Sequence, residues 1–186
     1  MSMDKTILIV SQIVGFFAVA SFLLSYQLKK RENIILCNVL SRGLYILQYV
    51  MLGAFEGAVL DVLGAISSVI ASKKNLTFIK KHTKIFVVCI DLVIVIAGLL
   101  LYVNPFSLLP IAGVLLHTTA FWINDERMIR KVSLLGSPFW MVYNLSCFAY
   151  GSAAGDFFTI VSIVIAMIKY KDLKKIRKNS ESEKNV

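Results

Sequence analysis

Charged residues along this chain gather in a few short clusters, and the stretches between the clusters are long and apolar. From Thr6 to Leu28 there are 23 residues without a single charge. A run of about 20 apolar residues matches the hydrocarbon thickness of a bilayer. Comparable stretches start at Asn33, Gly43, Ile85, Phe106, Val132 and Phe157, with only occasional charges inside them. The pattern predicts seven spans, at residues 6–28, 32–53, 55–72, 85–103, 106–124, 131–150 and 154–170. Helices are expected because a backbone in lipid must satisfy its own hydrogen bonds, and barrel strands would alternate polar with apolar positions. The expected fold class is therefore an all-α integral membrane protein with seven transmembrane helices.

Composition agrees: 58% of the 186 residues are apolar, more than a water-facing surface of this size allows. The net charge of +9 changes the picture only through its distribution. Of the 20 Lys and Arg residues, 18 fall into four groups, at 29–31, 73–84, 127–131 and 169–184; only Lys5 and Arg42 stand apart. The connections around Gly53–Gly57, Asn104–Pro105 and Gly151–Gly155 carry no Lys or Arg. Every second loop is thus basic, which by the positive-inside rule puts the amino terminus outside and the carboxyl terminus in the cytoplasm. These charges read as topological, beside an anionic leaflet, and not as a nucleic-acid surface. Ala18-Val19-Ala20 has the small residues of a signal-peptide cleavage site, but the apolar run continues past it, so the first span is expected to be retained. Cys37, Cys89 and Cys147 each stand alone in an apolar run, without metal-ligand or disulfide spacing.

Seven spans divide into three, one and three, which invites a search for internal repetition. Sliding the chain by 98 residues sets Gln12–Gly15 on Pro110–Gly113. Sliding by 96 sets Ser41 on Ser137 and Gln48 on Asn144; sliding by 95 sets Asp61 on Asp156 and Ser67 on Ser162. Matched polar residues are informative because they are scarce inside spans. An odd helix between the triplets makes the two units parallel. The expected organisation is a first triple-helix bundle with its basic loop at 1–84, a linker helix at 85–105 and a second triple-helix bundle at 106–170. A basic tail follows at 171–186, whose composition predicts disorder.

Three segments, Ser11-Gln12-Ile13-Val14-Gly15-Phe16, Leu52-Gly53 with Gly57-Ala58, and Leu108-Leu109-Pro110-Ile111-Ala112-Gly113, carry a resemblance to the YgjV family of bacterial inner membrane proteins. The resemblance covers nearly the whole chain. That family is distantly similar to the SWEET and PQ-loop (MtN3-like) transporter group, which implies two triple-helix bundles joined by a linker helix. The chain departs from the PQ motif: Gln12 has no adjacent proline and Pro110 no adjacent glutamine.

Ionisable groups in hydrocarbon are costly and normally face a bundle interior or a wet cavity. Four stand out: Arg42, Asp61, Asp91 and His117. Arg42 is about 15 Å deep by helical rise. On a wheel, Asn38, Ser41, Arg42, Tyr45, Gln48 and Tyr49 share an arc of roughly 120°, with Leu40, Leu47 and Val50 outside it. Gly57, Asp61, Gly64 and Ser68 form one stripe on the third span, which allows close packing and puts Asp61 within reach of Arg42. The pair reads equally as a lock between two helices or as part of a site. His117 is either a hydrogen-bonded packing residue or a site residue. Tyr26, Tyr102, Phe106, Trp122 and Tyr150 read as an interfacial aromatic belt.

No catalytic motif, phosphate loop or metal cluster is present, so neither an enzyme nor a cofactor is expected. The leading expectation is a transporter for a small polar solute, with a central site between the triplets lined by Asn38, Arg42, Gln48, Asp61, His117 and Asn144. One cation, one anion and several amides suit a zwitterionic or neutral solute, with Tyr45, Tyr49 and Trp140 available to stack. The alternative is a non-transporting scaffold or regulatory protein that offers its basic loop and tail to a partner. The bilayer of the bacterial inner membrane is the expected surrounding, and a homo-oligomer is compatible with it. A carrier needs a polar cavity, whereas a scaffold can be packed solid.

Overall fold

The computed structural model describes residues 5–28 and 30–183, and among them the regular structure is entirely helical. The helices are α1 (Lys5–Gln27), α2 (Arg31–Leu52), α3 (Phe55–Ser72), α4 (Thr77–Lys81), α5 (Thr83–Leu100), α6 (Leu108–Trp122), α7 (Glu126–Ser146) and α8 (Tyr150–Glu183). A 3₁₀ turn, Pro105–Ser107, leads into α6. Lys29, residues 184–186, and the side chains of Tyr26, Arg127 and the basic residues from Lys169 on lie outside the described residues.

Five segments are long and apolar enough to cross a membrane: Lys5–Ser25, Glu32–Leu52, Phe55–Ser72, Thr83–Leu100 and Pro105–Trp122. Tyr150–Ile165 is a shorter apolar helix. The seven spans predicted from hydropathy are therefore not all equally apolar. In α7 the reason is visible: Ser133, Ser137 and Asn144 are buried, so its polar positions are spent on the interior and not on a lipid-facing stripe.

The bundle is inverted relative to a water-soluble protein. On α2, Asn38, Ser41, Arg42, Gln48 and Tyr49 are buried while Leu36, Leu40, Leu47 and Val50 are exposed. On α5, Ile85, Val88, Leu92, Val93, Ile96, Leu99 and Leu100 all face outward. Lipid accepts apolar side chains without cost, so packing is left to polar and small residues. Tyr102, Phe106 and Tyr150 lie at helix ends and are exposed, as an interfacial belt requires.

Six helices close a ring: α1 packs on α2, α2 on α3, α3 on α6, α6 on α7, α7 on α8, and α8 returns to α1. Helix α5 stays outside, against α3 and α6, where Gly98 lets Ile111 seat directly on its backbone. The principal apolar core gathers around Tyr49, Leu60, Ile94, Val114, Trp140 and Tyr143. A second one joins Ile34, Ile35, Ala120, Phe121 and Ile129.

Two loops differ from expectation. The 73–84 segment contains α4, and its Lys74 is buried, donating from Nζ to the carbonyls of Trp122 (2.7 Å) and Ile123 (3.0 Å). Lys74 thereby caps the end of α6, whose last carbonyls have no helical donors, so it is more than a topological charge. The backbone from 171 to 183 continues α8 where composition predicts disorder. Its Lys, Leu, Ile, Arg and Glu residues are compatible with helix, and Tyr150–Ile165 supplies the nucleus from which it propagates.

Helices α2 and α7 end in the same kind of turn. Gly53 (φ 72°) and Phe148 (φ 62°) are both left-handed. After them Ala54 N–H donates to Tyr49 O (2.9 Å) and Ala149 N–H to Asn144 O (2.8 Å). Glycine adopts this conformation freely, whereas a Cβ makes it cost roughly 1–2 kcal/mol. Gly53→Ala should therefore lower stability by about 1 kcal/mol, and Phe148→Gly should raise it by a similar amount. Thermal unfolding of the detergent-purified protein checks both; equal behaviour of the two variants would refute the assignment of strain.

Candidate functional site

A cavity lies inside the ring, and all six ring helices line it, while α5 contributes nothing. From α2 come Asn38, Arg42, Tyr45 and Tyr49; from α3, Asp61; from α1, Phe22. The other half supplies His117 of α6, Trp140 and Asn144 of α7, and Asp156 of α8. The cavity has a volume of about 20 Å³, room for one or two waters.

Arg42 is held on three sides. Its Nη1 meets Asp61 Oδ1 at 2.5 Å, and its Nε donates to Asn38 Oδ1 at 3.0 Å, one helical turn back. The third side is Gly64: a Cβ there would collide with Arg42 Nη1 and stand 2.7 Å from its Cζ. The Gly-Asp-Gly stripe of α3 is thus a slot that receives a guanidinium from α2. Asp61 and Arg42 are 4% and 3% exposed, so the pair is shielded from water on the protein side. The charge pair expected from the sequence is formed.

A chain of hydrogen bonds crosses the ring from α2 to α7 and α8. Tyr49 Oη donates to Asn144 Oδ1 (2.7 Å), and Asn144 Nδ2 donates to Asp156 Oδ2 (2.8 Å). Tyr49 stacks on Trp140 (centroids 6.0 Å, 17°) and on Tyr45 (6.3 Å, 21°). Gly113 makes this possible, because a Cβ there would stand 2.6 Å from the indole. His117 stacks on Phe22 (5.9 Å, 29°) and donates from Nε2 to Ser133 O (3.0 Å), so it is a packing residue and a lining residue at once.

Five of the six residues expected at a central site, Asn38, Arg42, Asp61, His117 and Asn144, border this one cavity. Gln48 does not. Its Oε1 accepts from Ser152 Oγ, and Gly15 makes room for its amide, so it ties α2 to α8 and α1 instead. It lies one residue from Tyr49, and that step of about 100° turns it away from the cavity. Two lining residues escaped the sequence reading, Phe22 and Asp156. Phe22 had no signal. Asp156 did: it is the residue that sliding by 95 sets on Asp61.

The conspicuous sequence segments also acquire physical roles. Gln12 donates from Nε2 to Phe148 O (3.1 Å) and accepts from Gly151 N–H (3.0 Å), clamping α1 to the α7–α8 turn. Gly57 accommodates Tyr143, whose Oη accepts from the Gly57 N–H at 3.0 Å. These residues hold helices in register and do not line the cavity. A family model described as a bacterial inner membrane protein, Imp-YgjV, matches residues 9–174. The chain belongs to the Imp-YgjV family. Neither the curated proteins nor the solved structures contain a match to it. Family membership and the apolar helices together make it a multi-pass protein of the bacterial inner membrane, surrounded by lipid.

Proposed function

We propose that this Imp-YgjV protein is a carrier for a small polar solute, with the central cavity as its binding site and no catalytic step. The observation that carries the reading is the cavity itself: charged, amide and imidazole groups from five helices, α2, α3, α6, α7 and α8, converge on one space inside the membrane-spanning bundle. A polar cavity at that depth is costly unless it is used. The rival reading, a scaffold, has no need of it.

The proposal includes seven spans, α1–α3 and α6–α8 as two parallel triple-helix units, and α5 as linker, in the manner of the SWEET and PQ-loop carriers. One constant offset supports it. Adding 95 to each residue number takes Gly53 to Phe148, and the bond from Ala54 to Tyr49 onto that from Ala149 to Asn144. It takes Tyr143 with Gly57 onto Gln48 and Ser152 with the roles exchanged. It also relates Phe22 to His117 and Tyr49 to Asn144, two contacting pairs that would straddle the axis. Under this register Asn144 corresponds to Tyr49, and the drift from 98 to 95 inferred from sequence disappears. A carrier of this design opens to either side as one unit rocks against the other around the site.

Two experiments test the reading. Thermal unfolding against a broad panel of polar metabolites should reveal a solute that raises Tm, and reconstituted vesicles should take that solute up; a panel without effect in both assays refutes the carrier. Reporter fusions after residues 54, 104 and 152 should read external, and those after 78, 128 and 186 cytoplasmic. One robust reversal would overturn the seven-span count and the orientation.

A further inference from the structure

The cavity lining carries one more carboxylate than guanidinium. Asp61 has its counter-ion in Arg42 at 2.5 Å. Asp156 is 5% exposed, accepts one bond, from Asn144 Nδ2, and meets no cationic side chain among the described residues. At the 95-residue offset Ser137 stands where Arg42 does, so the acid is kept in both units and the base in one. A carboxylate inside a membrane is expensive without a positive partner.

The remaining walls suit a compact cation. Tyr49 stacks with both Tyr45 and Trp140, and all three line the cavity. Aromatic faces attract an ammonium through their quadrupole. Asn38, 1% exposed and also lining the cavity, keeps its Nδ2 without a protein partner, a donor for an acceptor atom or a water that enters with the cation. A divalent metal would ask for six or more oxygens, which one carboxylate and aromatic rings do not supply. An ammonium's N–H groups need only an acceptor and π faces, and a space for one or two waters limits its size.

We infer that the cavity binds a small primary ammonium, with Asp156 as its counter-ion and the Tyr45–Tyr49–Trp140 stack as its wall. The inference rests on the cavity being a solute site, and it replaces the zwitterionic or neutral solute expected from sequence by a cationic one. Asp156 supplies the charge that shifts the count.

The test is thermal unfolding of the purified full-length protein in detergent, titrated with methylammonium chloride at constant ionic strength. Sodium chloride, tetramethylammonium chloride, a zwitterion (glycine) and a neutral amide (acetamide) serve as comparisons. Methylammonium should raise Tm with saturation, and tetramethylammonium, which has no N–H and is larger, should not. Asp156→Asn keeps the shape and a hydrogen bond to Asn144, and should weaken the apparent methylammonium affinity by about tenfold or more. Should that variant not fold, Tyr45→Leu gives a second reading and should weaken binding several-fold. A methylammonium effect that persists at full strength in Asp156→Asn overturns the assignment. Stabilisation by glycine or acetamide without any by methylammonium overturns the cationic inference and leaves the carrier standing. If none of these probes nor the wider metabolite panel stabilises the protein, both fall.

Discussion

Leucine in place of Asp61 should cost about 3–5 kcal/mol, the loss expected when one partner of a buried ion pair is removed. The Arg42 guanidinium would remain 3% exposed, with only Asn38 Oδ1 to meet its charge. Arg42→Leu should cost a comparable amount by stranding Asp61. Asp61→Leu and Arg42→Leu combined should be milder than either alone, because two apolar residues inside the bundle need no counter-ion and strand no buried charge. Yield and unfolding in detergent, arranged as a double-mutant cycle, measure the coupling. Additive losses would mean that the contact at 2.5 Å contributes nothing to folding. If the double variant is stable and solute stabilisation is lost, the pair also serves the site.

The second large effect is expected at a residue without a side chain. In Gly64→Val the new Cβ would collide with Arg42 Nη1 and lie 2.9 Å from Val114 Cγ2. Overpacking of this kind costs about 1–3 kcal/mol by itself. Here the displaced atom is the one that holds Asp61, so part of the ion-pair penalty is added. The distinguishing measurement is the same substitution in the Arg42→Leu, Asp61→Leu background. There the guanidinium is gone and the cost of Gly64→Val should fall to the Val114 contact alone. An unchanged cost in that background would show that Gly64 serves helix packing and not the slot for Arg42.

Much of this architecture is written locally. The charge-free run before Leu28 and the polar arc on α2 are read directly, because in lipid the inside of a bundle is marked by its polar residues. The same rule picked out Arg42, Asp61, Asn38 and Asn144 before any contact was known. The rule fails where a polar residue is inside but off the cavity, as with Gln48, since burial alone does not say what a side chain faces. It fails also for Phe22, an apolar lining residue among many apolar residues. Lys74 shows the reverse error: a cation in a basic loop looks topological until a helix end elsewhere in the chain needs its donors.

What the sequence determined by itself is therefore the helical class, the membrane setting and the two candidates for an acid–base pair, each a consequence of a local pattern meeting a single solvent rule. What only the tertiary structure decided is which of the buried polar groups meet. The ring closes α8 onto α1 and α3 onto α6, and this brings Asp156 to the same cavity as Asp61 from 95 positions away. Hydropathy is a property of one helix. The charge of a cavity is a property of six, and it exists only once small residues such as Gly64 and Gly113 let those helices approach.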